Sequence, residues 1–477
     1  MFKFSIRTCI GLLTIYLAAA GCKVPAITTA TENRSVPVSF GNSSDTANTS
    51  TLPWRSFFTD KNLVNLIDTA LKNNQELMIT LQEVEIARND IRFKQGPLLP
   101  MVGARAGMGI EKVGRYTSQG AGDASTEIKP GKEMPDPLGD FTAAVFATWE
   151  VDIWKKLHNA KKAAVTRYLS TVEGKNFVLT NLVAEVANSY YELQALDNQL
   201  TIVQQNIALQ QNALNIVKIQ KEAARVTELA VQKFEAEVLK SQSLEFDLRQ
   251  KIKETENRIN FLLGRYPKEI NRDKSSFLAL LPPAVNTGIP SQLLTNRPDI
   301  KQAELELAAA KIDVKVARAE FFPSLGITAA VGLQAFNPTY LFRMPESLLY
   351  NLAGDLAGPL INRNAIKAEF NNANARQLQA MYNYEKTILN AYLEVSTQLS
   401  NISNLEKSYD LKSKQVETLT RSIDISNDLF RNARADYLEV LMTQRDALES
   451  KLELIETKKD QLNAVVNIYR GLGGGWR

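Results

Sequence analysis

From Asp60 to about Gly96, apolar residues recur at helical spacing, and Pro97 and Pro100 end the run. The pattern returns over 291–322 and is closed by Pro323. The two runs align without a gap at an offset of 223, so that Asn73 falls on Asn296, Asp90 on Asp313 and Pro100 on Pro323. Each is followed by strand-like segments. Residues 101–110 are small and alternating, and 141–152 place Phe141, Val145, Trp149 and Val151 on one face with Thr142, Thr148 and Glu150 on the other. Residues 324–334 and 348–357 repeat that pair, whereas 111–140 read as a loop. Two exceptionally long helices are then predicted, over 155–224 and 362–432, both free of proline. At 1.5 Å per residue each would be roughly 105 Å long. Turns near Ala223–Thr227 and Ala433–Asp436 lead into return helices that end at Leu263 and near Gly471.

The chain thus reads as a tandem duplication, with repeats at 56–264 and 291–477 around a proline-rich connector at 265–290. Asn188, Tyr190 and Glu192 match Asn390, Tyr392 and Glu394 at an offset of 202, and Ala224-Arg225 match Ala433-Arg434 at 209. The fall of 21 is assigned to a longer loop in the first strand pair. The later rise of seven would make the second long helix one heptad longer, keeping its apolar stripe in register with a neighbour. The fold class is therefore mainly α with a small β part. Strands of about ten residues can cross a bilayer when tilted. Four cannot close, and lipid does not tolerate open edges. Barrels start at about eight strands, so several copies would have to share one. A hairpin layer packed on the helices of a non-channel periplasmic coiled-coil lipoprotein is the alternative.

Composition adds a location. Lys3 and Arg7 precede an apolar run from Cys9 to Ala20, too short to span a membrane, and Ala-Ala-Gly-Cys ends it at Cys22. Residues 1–21 read as a lipoprotein signal peptide with Cys22 as the lipidated residue, although Ala19 stands where such sites usually have Leu. An ordinary secretory signal is the other reading. Removing Lys3 and Arg7 leaves 54 basic and 52 acidic residues, a balance that implies no nucleic-acid partner. Residues 22–55, rich in Thr, Ser and Asn, suggest an extended tether. No acid–base, nucleophile or phosphate-loop constellation appears. The single His158 is read as structural and the chain as neither an enzyme nor a cofactor or metal binder.

Several stretches carry a family resemblance: Asn296-Arg-Pro-Asp-Ile300 followed by residues 317–324, Tyr384-Glu-Lys-Thr-Ile388 with Tyr392 and Glu394, Tyr437-Leu-Glu-Val-Leu441, and the terminal Leu472-Gly-Gly-Gly-Trp476. In this order and spacing the chain resembles outer-membrane factors of tripartite efflux systems, the TolC/OprM type, from about Trp54 to Trp476. The resemblance implies a homotrimer. Four strands per protomer would make a twelve-stranded outer-membrane barrel on a periplasmic helical tunnel. It also implies a periplasmic adaptor, an inner-membrane pump and export of small toxic compounds. A related tunnel serves type I protein secretion, which is the same-class alternative. Asp424 and Asp428 share a helix face where the family constricts its pore, with Asn427 one position away. A solvated helix face is the alternative reading for both. Glu222, Arg225, Thr227, Glu228, Arg434, Asp436 and Tyr437 cluster at the two turns and are candidates for adaptor docking, or for helix capping in the case of Thr227 and Asp436. Trp149, Trp154, Phe321 and Phe322 lie at strand–helix junctions, as an interfacial belt or as packing would require.

Overall fold

The computed structural model describes residues 26–27, 31–40, 47–273, 277–280, 282–283, 285–359, 363–432 and 434–477. The expected signal segment, Cys22 and Ala433 lie outside the described residues. In chain order the main elements are α1 Lys61–Asn73, α2 Gln75–Gln95, β1 Met101–Glu111, α3 Ser118–Ser125, β2 Glu127–Lys129, β3 Lys132–Glu133 and β4 Leu138–Val151. There follow α4 Lys156–Glu222, α5 Glu228–Leu262, α6 Pro298–Ala319, β5 Ser324–Ala335, β6 Leu348–Ala357, α7 Asn364–Arg431 and α8 Tyr437–Gly471. The expected 111–140 loop is not plain coil, since it carries α3 and the small β2–β3 ladder.

Each expected first helix is broken, and both breaks occur at the same repeat position. The chain turns extended at Asn74 (ψ 125°) and at Arg297 (ψ 120°), residues that correspond at the offset of 223. At Arg297 the cause is Pro298, whose ring disfavours a helical conformation in the residue before it. Asn74 has no proline after it; its side-chain oxygen instead accepts the Leu77 N–H at 2.9 Å and caps α2.

The expected difference between the long helices is corrected. They span 67 and 68 residues. The extra heptad is present beyond Tyr392, with 39 residues to Arg431 against 32 from Tyr190 to Glu222. It is offset by a start six positions later, because 28 residues precede Tyr392 in α7 and 34 precede Tyr190 in α4. The hairpins shorten the offset by 17, from 223 to 206 at the strand ends, the junction restores two to give 208 at the helix starts, and the remaining six lie between the helix start and Tyr392.

The chain divides into two compact units. One comprises Glu85–Leu169 and Leu305–Met381 with the described part of Met1–Thr31. Its sheet is antiparallel in the order β1-β4-β5-β6, so the two hairpins, one from each repeat, join through β4 and β5 from Phe141↔Ala335 to Val151↔Leu325. A small core of Val314, Ala317, Phe321, Phe370 and Ala373 lies beneath the second hairpin's helices.

The other unit comprises Glu32–Val84, Ser170–Glu304 and Tyr382–Arg477. Its largest core cluster gathers Trp54, Phe57, Leu63, Ile67, Tyr190, Leu263 and Tyr469 from all parts of the unit, and Phe57 stacks on Tyr469 at 4.0 Å. The connector is pinned by a buried ion cluster: Arg272 pairs with Asp197 and with Glu256 at 2.8 Å. Described parts of the stretch expected to form an extended tether contact the rest of their unit. Asn33 N–H donates to Glu385 at 2.8 Å, Arg34 pairs with Glu304, and Phe40 stacks on Tyr392 at 5.5 Å, so this polar stretch is held by specific side chains.

Candidate functional site: a two-faced sheet and two helix turns

Alternation along one strand only suggests two faces; the pairing register fixes them. Rows of opposed residues run Val102–Ala147–Ala329–Leu352, Ala104–Val145–Val331–Tyr350 and Ala106–Ala143–Leu333–Leu348. Opposed residues share a face. This face is apolar throughout, yet Met108, Ile110, Tyr350 and Leu352 on it are each at least 75% exposed. The intervening rows, such as Met101–Thr148–Thr328–Ala353, make the second face. All five charged side chains of the four strands, Arg105, Glu111, Asp140, Glu150 and Asp355, fall on it. Among the described residues β1 and β6 end the sheet with free edges. A sheet of this kind has an unburied apolar surface and two unsatisfied backbone rows. No helix among the described residues is long and apolar enough to cross a membrane.

The junction aromatics divide. Trp149 donates to the Leu98 carbonyl at 3.2 Å, and Trp154 stacks on Phe322 at 4.7 Å while donating to the Pro323 carbonyl at 2.7 Å. Phe321 is buried against Phe370. His158 sits 2.6 Å from Asp152, whose carboxylate also accepts the Leu157 and His158 N–H groups and so caps α4.

In the other unit the turns are built alike. After α4 the Arg225 N–H returns to the Gln220 carbonyl at 2.9 Å and the Ala224 N–H to Lys221, which is a Schellman closure. Such a closure needs a left-handed residue, and Ala224 supplies it at φ +56°. After α7 the Arg434 N–H returns to Leu429 at 2.8 Å in the same six-to-one fashion. Thr227 and Asp436 occupy the N-cap positions of α5 and α8, but neither side chain caps; only their carbonyls engage, with Ala230 and Glu439. The capping role expected for them is therefore not what their side chains perform. Glu228 pairs with Lys221 across the turn and accepts from Gln232 at 2.9 Å, and these two partners hold its carboxyl below its ordinary range. Glu222, Arg225, Thr227, Glu228, Arg434 and Asp436 are all exposed. Tyr437 is half-buried on the cluster of Leu214, Val217, Phe234 and Phe430 that binds the helix ends together.

Asp424 and Asp428, which share a helix face by their spacing, are both exposed. Arg431 approaches Asp428 only to 3.9 Å, and both side chains are largely in solvent, so the carboxylate is barely compensated. Asn427 instead lines a cavity of about 130 Å³ among Phe234, Phe430 and Val440, which separates it from the aspartate face.

Sequence reasoning missed one pair of contacts. Asn74 Nδ2 donates to the Leu262 carbonyl at 3.0 Å, and Arg297 Nη1 donates to the Gly471 carbonyl at 2.7 Å. Leu262 and Gly471 correspond at the turn offset of 209, so each repeat clamps the end of its return helix with the residue at its own helix break. Gly264 (φ +63°) and Gly473 (φ +92°) also correspond, and a Cβ there would lie 2.2 Å from the Asn73 oxygen and 2.6 Å from the Asn296 oxygen. Arg297 further binds Asp299 and Glu394. Burial alone would lower its pKa, but these carboxylates outweigh burial and hold it above its ordinary value. The signal was available: the offset of 223 pairs Asn74 with Arg297, but a pair of unlike residues does not stand out in a repeat alignment.

Comparison with known proteins agrees with this geometry. The model of the outer membrane efflux protein family matches residues 66–265 and 289–474. The pyoverdine export outer membrane protein OpmQ of Pseudomonas aeruginosa is 30% identical over 425 residues, covering 89% of this chain and 87% of its own length. The cation efflux system protein CusC of Escherichia coli is 28% identical, with 89% and 88% covered. Among solved structures, the open state of the Neisseria gonorrhoeae MtrE outer membrane channel superposes with a TM-score of 0.82 at 22% identity, covering 95% of this chain and 98% of that one. The repeats, the two-faced sheet and these matches establish that the chain belongs to the outer membrane efflux protein family.

Proposed function

We propose that the protein is the passive outer-membrane exit channel of a tripartite efflux pump, a homotrimer in which each protomer gives four strands to a shared twelve-stranded barrel. The observation that carries this is the register of the sheet. Among the described residues nothing covers its apolar face, its polar face holds every charge of the four strands, and both of its edges are open. In lipid each unsatisfied backbone group costs several kcal/mol, so edge must meet edge in a closed ring. The apolar face then meets lipid and the charged face meets water. In this reading the long helices form the periplasmic tunnel, and the turns at 222–228 and 434–437 meet a periplasmic adaptor that bridges to an inner-membrane pump. Asp424 and Asp428 gate the tunnel, and a lipid on Cys22 adds a second membrane anchor. Relatives are named for pyoverdine export, cation efflux and toluene efflux, so family membership alone leaves the cargo open. Export of small toxic compounds is the reading we adopt over protein secretion.

Reconstitution of the purified protein into planar bilayers tests the channel, with chemical cross-linking for the oligomer. Stepwise conductance from a cross-linked trimer is the expected result. A trimer that does not conduct would return the chain to the non-channel spacer reading.

A further inference from the structure

Arg105 is the one cation on the four strands. It stands on the charged face in the row Arg105–Ala144–Gly332, flanked along β1 by Gly103 and Gly107. Glu111 lies six residues away along β1, and the Glu150–Gly326–Asp355 row lies six residues away along β4 in the other direction. Asp140 is nearer, four residues along β4 on the Glu111 side, so at about 3.4 Å per residue the nearest acidic level is roughly 14 Å distant and the other two roughly 20 Å. The acidic levels have company: Glu150 pairs with Lys156 at 2.5 Å, and Asp140 accepts from Gln334 at 2.9 Å. Arg105 is exposed and, among the described residues, makes neither an ion pair nor a hydrogen bond. The space beside it is open as well, since a Cβ added at Gly107 would meet only Arg105 Nε, at 3.9 Å. With Gly107 open on one side and the Phe146 ring over Gly103 on the other, the unpartnered guanidinium contributes neither an ion pair nor a hydrogen bond to the sheet. It has five donors to offer and room for an acceptor beside them.

We propose that Arg105 forms a cationic ring at mid-height of the barrel lumen, where it binds carboxylate- or phosphate-bearing solutes in transit. This rests on the trimeric barrel proposed above, which brings three copies to one level. The guanidinium fork matches carboxylate and phosphate oxygens two at a time, which a lysine ammonium does not. The acidic levels on either side repel the same solutes, so the ring works as a local station and not as a general anion attractor. Its reach grows as salt falls, because the Debye length rises from about 8 Å at 0.15 M to about 30 Å at 0.01 M.

The test uses the full-length trimer in planar bilayers at low salt, with tripolyphosphate added on the barrel side. Voltage-dependent block is expected in the unsubstituted channel. In Arg105→Gln it should weaken by about tenfold or more, the scale of one charge-assisted hydrogen bond. Arg105→Lys should keep part of it. Absent block, or equal block in Arg105→Gln, overturns the proposal. Labelling of Arg105→Cys by a membrane-impermeant thiol reagent supports a water-facing position, and an unlabelled Arg105→Cys in a conducting channel also overturns the ring. Loss of conductance in the unsubstituted trimer overturns instead the channel reading beneath it.

Discussion

Ala224 holds a left-handed backbone, φ +56°, at a turn where glycine is the usual occupant. The Cβ–carbonyl clash of that conformation costs roughly 1–2 kcal/mol, and Ala224 is exposed, so no packing offsets it. Ala224→Gly should therefore raise native-state amide protection around 220–225 by about 1 kcal/mol in hydrogen exchange. Unchanged protection would mean that the turn is not strained. Asp428 is the second residue-scale case. Its partial ion pair is too long and too wet to neutralise it. Asp428→Ala should raise the conductance of the reconstituted channel or change its ion preference, and no change in either would remove Asp428 from the gate. The spacing of four between Asp424 and Asp428 made a shared helix face legible, but not what that face meets. Arg105 was not singled out, because one residue on one strand acquires a meaning only when three other strands are placed beside it.

At the level of elements, long helices and strands were legible because nothing interrupts them: no proline enters α4 or α7, and the strand alternation persists across whole strands. The break at Asn74 was hidden, because apolar spacing continues through it and no proline marks it, whereas Pro298 signalled the break at Arg297 and the continuing apolar spacing was followed instead. The heptad count shows the opposite error. Three aligned motifs gave correct local offsets, but the helix start is set by the strand junction and had moved by six residues. The turns carry the element-scale prediction. Arg225 and Arg434 are exposed at equivalent six-to-one closures made by backbone, so their side chains are free to change without undoing the turns. Arg225→Glu combined with Arg434→Glu should abolish efflux in a drug-susceptibility assay while trimer yield stays normal. Resistance that survives intact would place adaptor docking elsewhere. Tyr437 is a poor choice for such a test, since it belongs to the apolar cluster under the turns.

On the scale of the whole chain, duplication supplies two equivalent clamps and two equivalent hairpins, but the copies are not self-sufficient. The clamps stay within their repeats, Asn74 with Leu262 and Arg297 with Gly471. The sheet does not, because its central pair is β4 from the first repeat and β5 from the second. About 170 residues separate Val151 from Ser324. At 5–20 residues per second, the first hairpin would wait roughly 10–30 s for its partner strand. Throughout that interval it has an apolar surface and two open edges, the features that holding chaperones recognise and that aggregates exploit. A chain truncated in the connector should accordingly accumulate as an insoluble product and not as half a channel.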